Sequence, residues 1–318
     1  MKKVACVGIL VADVIVQPVK DYPEKGQLVP VDSITIHNGG NAMTASINLR
    51  RMGVETKIIG KVGNDVFGGY LKNCFNDEGV DTKGLKTDNE VQTSASVLLV
   101  DSTGERSFFH TTGSNAVFSI TDIDFDIINE CDLVFVTGTF LLSKFDGDET
   151  AAFLKKCKEL GKTTFLDVCW DASGRWGELL NKAMPYIDFF MPSIDEAVRI
   201  ADKENPEDIA NTFIENGVKN VVIKMGGKGS FLKTSNDEKG KMFPAVGDVQ
   251  VVDTTGAGDS FCSGFLAAYS REKTLEECME FGNAAGAVSV TQKGATTAIK
   301  SYDQIMKFLG ENKNVSNT

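Results

Sequence analysis

The chain has 318 residues, is 42% hydrophobic, and carries 44 acidic against 33 basic residues for a formal charge of −11. That length and apolar content suit one large domain with a sizeable buried core, and the acidic balance excludes a general electrostatic grip on nucleic acid or an anionic membrane. Seven scattered cysteines without a CxxC pair, and only two histidines, His37 and His110, disfavour a disulfide framework and a zinc site alike.

The apolar run over residues 4–12, after Met1-Lys2-Lys3, imitates a short signal peptide, but Asp13 ends it with no convincing cleavage site, so a buried first strand over 4–10 is expected. The segment 14–36, with alternating Val29, Val31, Ile34 and Ile36, predicts a β ribbon. A helix over 41–52 follows, closed by Gly53, and then a strand over 57–60. A second ribbon is predicted over 93–110, its two runs split by a polar turn at 101–105. Beyond it, apolar runs at 133–136, 164–168, 188–191 and 221–223 alternate with helical segments such as 149–160, closed by Gly161.

This alternation predicts an α/β domain, a mainly parallel central sheet with helices on both faces in three layers. The two ribbons, at about 14–37 and 93–111, form a small β lid over a cleft at the strand carboxyl ends. A single domain is expected over 1–310 and a flexible tail over 311–318. No apolar stretch reaches the roughly 18 residues of a membrane span, and a cytoplasmic location is expected.

The densest site signal is Asp253-Thr254-Thr255-Gly256-Ala257-Gly258-Asp259, between a strand-like run and a helix of small and apolar residues. Glycines at 256 and 258 let backbone amides crowd together, and the helix N-terminus adds partial positive charge, which suits a phosphoryl group. Asp259 either complements the helix dipole or takes the proton from an attacking hydroxyl. Gly161-Lys162-Thr163 imitates the end of a Walker A motif, but Lys156 stands where its first glycine belongs. Phe261 occupies the third-glycine position of a dinucleotide fingerprint, which is also disfavoured. Earlier, Asn38-Gly39-Gly40-Asn41 precedes a helix and permits close approach of a ligand, or is an ordinary turn with Asn41 as helix cap.

Together, Gly39-Gly40 early and the 253–259 segment late resemble the two signatures of the PfkB, or ribokinase-like, family of carbohydrate kinases. The similarity spans nearly the whole chain. It implies a ribokinase-like fold and transfer of a phosphoryl group from ATP to a hydroxyl of a sugar-like small molecule. By that resemblance Asp259 is the base, Gly256, Ala257 and Gly258 form the anion hole, and Asp13, Gly39, Gly40, Asn41 and Thr44 face the substrate. Lys224, Gly226, Gly227 and Gly229 match the nucleotide loop, although a plain hairpin turn is the alternative. Asn283 falls where the family contacts adenine, or makes a packing hydrogen bond. Glu196 matches a residue that organises Mg²⁺ through water, while Ser193 replaces the usual Asn and the pair also reads as a capping box. Asp253 and Thr255 align with a monovalent-cation loop that often holds K⁺.

Two departures bear on the substrate. Thr44 and Val11 stand where the family usually has Asn, which removes amide contacts and makes ribose itself unexpected. Arg106 reads as a solvated surface charge ahead of a substrate anchor. Phe108, Phe109 and His110 stack on a substrate or pack against the domain or a second subunit, so a homodimer through the lid is one expectation. A nucleoside kinase and a non-catalytic sugar sensor are the alternatives to a sugar kinase.

Overall fold

The computed structural model describes residues 1–313. Its strands are, in chain order, β1 (Val4–Gly8), β2 (Val11–Gln17), β3 (Ser33–Gly39), β4 (Thr56–Gly63), β5 (Asp81–Asp88), β6 (Ala95–Val100) and β7 (Arg106–Thr111). They continue with β8 (Leu133–Thr139), β9 (Thr163–Val168), β10 (Phe189–Phe190), β11 (Asn220–Lys224), β12 (Ser230–Thr234) and β13 (Lys241–Phe243).

Nine of these form one sheet in the order β13-β12-β11-β10-β9-β8-β1-β4-β5. Every neighbouring pair is parallel except β11–β12 and β12–β13. The central strands β1 and β8 are buried along their whole length, and their near-continuous apolar runs reflect a sheet covered on both faces. Alternate residues of β1 feed two separate cores: Val4 and Cys6 pack with Met43, Phe265 and Phe281, whereas Ala5 and Val7 pack with Phe153, Leu154 and Phe213. The chain leaves β1 for β4 on one side and later returns as β8 on the other, so the strand order reverses beside β1, where a crevice opens in sheets of this kind.

The lid is a separate four-stranded sheet, β3-β2-β6-β7. Its first ribbon starts at Val11, ahead of the expected start at about 14, because β1 ends at Gly8 and the chain crosses to the second sheet. Val29 and Val31 lie outside any strand. Pro30 between them has no N–H to give a ladder, so the alternation there is not that of a strand. At the other end, the helix Tyr302–Lys313 runs into the expected tail, because Ile305 and Leu309 bury its inner face; residues 314–318 lie outside the described ones. Among the described residues no helix is long and apolar enough to cross a membrane.

Candidate active site

Three cavities lie along the carboxyl ends of the parallel strands, of about 340, 610 and 460 Å³. The first lies beneath the lid, and its walls include Ile9 just beyond β1 and Leu141 just beyond β8. Asn41 lines the first and second, and Lys224, Gly226, Ala257 and Gly258 line both the second and third. The second is therefore the junction, and Asp259 lies on its wall.

Asp259 sits in the first turn of the helix Ala257–Tyr269, whose cap is Gly256 in the left-handed conformation (φ 73°). A side chain at 256 would also bring its Cβ within 2.6 Å of the Ala295 Cβ, so the turn admits glycine for two reasons. The Ala257 amide donates to the Thr254 carbonyl at 3.2 Å, so of the three amides expected at the anion hole this one is engaged within the turn.

Across the junction, Asn41 begins the helix Asn41–Arg51 and its Nδ2 donates to Asp259 Oδ1 at 2.7 Å. The Asn41 Oδ1 accepts from the Cys169 thiol at 3.1 Å, which fixes which end of the amide faces the carboxylate. Burial pushes Asp259 up to about 7, with the Asp167 carboxylate adding to the rise while Lys224 and the Asn41 hydrogen bond oppose it.

Asp167 stands in none of the sequence motifs. It lies next to the end of β9, 1% exposed, and both its oxygens accept from Lys224 Nζ at 2.8 and 2.7 Å. Burial alone would lower the Lys224 ammonium, but Asp167 holds it above its usual range. A carboxylate at the carboxyl end of a parallel strand was the signal available to find it. Glu196 is raised by burial and by Asp167, against the pull of Lys224. Its Oε2 accepts the Ser193 amide at 2.8 Å, and Ser193 caps the Glu196 amide in return, so the capping box is real and still lines the junction.

Under the lid, Asp13 on β2 faces the first cavity and is pushed up to about 6 by burial, with the Ser96 hydroxyl opposing. Gly39 lies opposite: a Cβ there would stand 2.1 Å from Asp13 Oδ2. Gly40 lines the cavity, whereas Thr44 is 1% exposed and lines none of the three cavities. Thr44 is one helical turn beyond Gly40, and its side chain is buried.

Arg106 also departs from expectation. Its guanidinium reaches from β7 to Thr255 Oγ1 at 2.6 Å and Asp253 Oδ1 at 2.9 Å, since the lid folds over the 253–255 segment. Burial would raise Asp253, but the Gly294 and Thr255 amides, joined by Arg106, hold it well below the usual carboxylate range.

Gly226, Gly227 and Gly229 line the third cavity, and Met225 and Gly229 close a hairpin turn between β11 and β12. No heavy atom lies within 4 Å of a Cβ built at Gly226 or Gly227, so this wall leaves open space for a ligand. Asn283 lines the same cavity, but its Nδ2 donates to the Phe243 and Pro244 carbonyls at 3.2 and 3.0 Å, the packing role. Among the described residues, no three His, Cys, Asp or Glu side chains converge on a possible metal site.

Residues 1–301 match the model of the pfkB family carbohydrate kinase. The chain is 29% identical to the ribokinase of Haemophilus influenzae, over 97% of this chain and 98% of that one. The fold is similar to that of Arabidopsis thaliana ribokinase complexed with ribose and ATP, with a TM-score of 0.84 and 25% identity over 97% and 98% of the two chains. It is similar as well to an E. coli ribokinase II candidate in complex with ATP and Mg²⁺, with a TM-score of 0.80 and 22% identity over 98% and 100%.

Proposed function

Since the chain belongs to the pfkB family of carbohydrate kinases, and so is a phosphotransferase with an alcohol group as acceptor, we propose that it moves the γ-phosphoryl group of ATP onto a hydroxyl of a neutral sugar, with Asp259 as general base. The observation that carries this reading is the place of Asp259: at the junction cavity, oriented by Asn41, between the cavity under the lid and the one beside the Gly226 turn.

The sugar occupies the cavity under the lid. Asp13 accepts from its hydroxyls, and the apolar walls of Val11, Leu98 and Phe108 cover its carbon face. The reacting hydroxyl lies against Asp259, whose Oδ1 already accepts from Asn41, so the proton passes to Oδ2 as the oxygen attacks the γ-phosphorus. The bond from that phosphorus to the β-phosphate oxygen breaks, and ADP leaves from the cavity beside Gly226 and Gly227. The helix N-terminus at Gly256 and Gly258, with Lys224 beside it, stabilises the charge on the transferring group. Glu196 would hold Mg²⁺ through water, and the ion would supply charge neutralisation on the phosphates.

The preference for a neutral acceptor follows from the cavity's charges. Arg106 is engaged with Asp253, burial holds His110 below its ordinary range, and the remaining charged group on the wall is Asp13. A substrate phosphate or carboxylate would meet a carboxylate and a guanidinium already neutralised. The extent of apolar wall supports a second reading, a nucleoside acceptor whose base lies against Leu98 and Phe108. ADP release measured across neutral hexoses and pentoses, nucleosides, sugar acids and sugar phosphates separates these. Turnover confined to sugar acids or sugar phosphates contradicts the proposal, and turnover confined to nucleosides selects the second reading.

A further inference from the structure

Arg106 takes no part in the transfer itself, yet it links the lid directly to the transfer site. Its Nη1 donates to Thr255 Oγ1 at 2.6 Å and its Nη2 to Asp253 Oδ1 at 2.9 Å. These are the two residues that resemblance assigns to a monovalent cation, and the Arg106 guanidinium already holds both of their side chains. Asp253 Oδ1 accepts from the Thr255 amide as well, at 2.9 Å, and Oδ2 accepts from the Gly294 amide at 2.9 Å. Both carboxylate oxygens thus face N–H donors, and Asp253 is 8% exposed.

We propose that Arg106 is a positioning residue that clamps the 253–255 segment from the lid and brings, within the chain itself, the positive charge a bound monovalent cation would supply there. The planar guanidinium suits the task because two parallel donors fix direction as well as charge. Thr255 is joined directly to Gly256, so whatever holds Thr255 also sets the turn that opens the Asp259 helix. The fork is in place only while β7 lies over the site, which makes lid closure part of completing the transfer site.

The inference rests on the kinase reading, so its test pairs turnover with a measurement that needs no acceptor. In Arg106→Ala, amide exchange over residues 106–111 and 253–257 is expected to speed up by about tenfold or more, and unchanged exchange overturns the clamp. With the best acceptor, kcat of this variant is expected to fall by roughly 10²-fold while KM for ATP stays within about threefold, and guanidinium or K⁺ restores a good part of it. Arg106→Lys, which keeps charge without the fork, falls between the two. The wild type is expected to work equally well in K⁺ and in tetramethylammonium buffers. A kcat in Arg106→Ala close to wild type, or a wild type that loses most turnover without K⁺, overturns the proposal. Silence of the wild type with every acceptor overturns the kinase reading instead, and the exchange result then still decides the clamp.

Discussion

Asn41 and Asp259, 218 positions apart, meet at 2.7 Å where the cavity under the lid adjoins the junction. The amide favours the charged carboxylate, against burial and the Asp167 charge, which together push Asp259 up to about 7. A base must be deprotonated to accept a proton, so kcat/KM is expected to fall as pH drops through about 7, with a midpoint that belongs to the whole charged cluster. Asn41→Ala removes a contact that favours the charged form and is expected to move that midpoint upward. A pH profile flat from 6 to 8, or a midpoint unmoved in the variant, contradicts this account of the carboxylate.

Lys224 and Asp167 are expected to matter in two separable ways. Lys224→Met leaves the Asp167 carboxylate buried and unpaired, a loss on the order of 3–5 kcal/mol in stability, and it also removes charge beside Gly258. Adding Asp167→Leu should return most of the stability, because a well-packed apolar pair replaces a buried ion pair at little cost. It should not return turnover. Melting temperatures and kcat of the single and double variants check this, and a double variant that regains both places the pair outside catalysis.

Gly39→Ala is expected to displace the Asp13 carboxylate, since the new methyl group would overlap Oδ2 at 2.1 Å. The sugar KM should rise while ATP binding is unaffected, because no β3 residue lines the cavity beside Gly226. An unchanged sugar KM removes Asp13 from substrate recognition.

On the lid, Ile34 and Phe109 remain 66% and 68% exposed. We propose that a second copy of the chain covers this face, and sedimentation at micromolar concentration is expected to give a dimer that Ile34→Glu with Phe109→Glu splits. A wild-type mass of 34.4 kDa under those conditions counts against it.

Much of this was legible from local patterns. The glycine pair at 256 and 258, placed between a strand-like run and a helix, announces the tight turn that opens the Asp259 helix, because that conformation is written into neighbouring residues. The lid was visible as two interruptions of the βα rhythm, although Pro30 shows that alternation alone does not make a strand. What could not be read were contacts made across the fold. Arg106 is an ordinary exposed charge in its own ribbon and acquires its meaning only when β7 lies over Asp253, 147 residues away. Asp167 ends an apolar strand without any motif around it, and its partner Lys224 is 57 residues on. Asn283 sits at the expected cavity, yet its donors are taken by carbonyls at the end of β13 and just after it, a choice set by packing and invisible to spacing.

The most direct test of the account is turnover of Asp259→Asn with ATP and the best acceptor, beside nucleotide binding followed by the fluorescence of Trp170, which lines the junction. Asn keeps the oxygen that accepts from Asn41 and lacks the basic oxygen, so kcat is expected to drop by about 10² to 10⁴-fold with ATP binding nearly intact. Folding of the variant is checked by its melting. The folded carboxylate sits above its unfolded value, so its charge costs stability as pH rises from about 4 to about 7 and fully above that, and the variant should melt no lower than wild type at pH 8. Turnover near the wild-type rate in a folded Asp259→Asn protein would contradict the assignment of this carboxylate as the base.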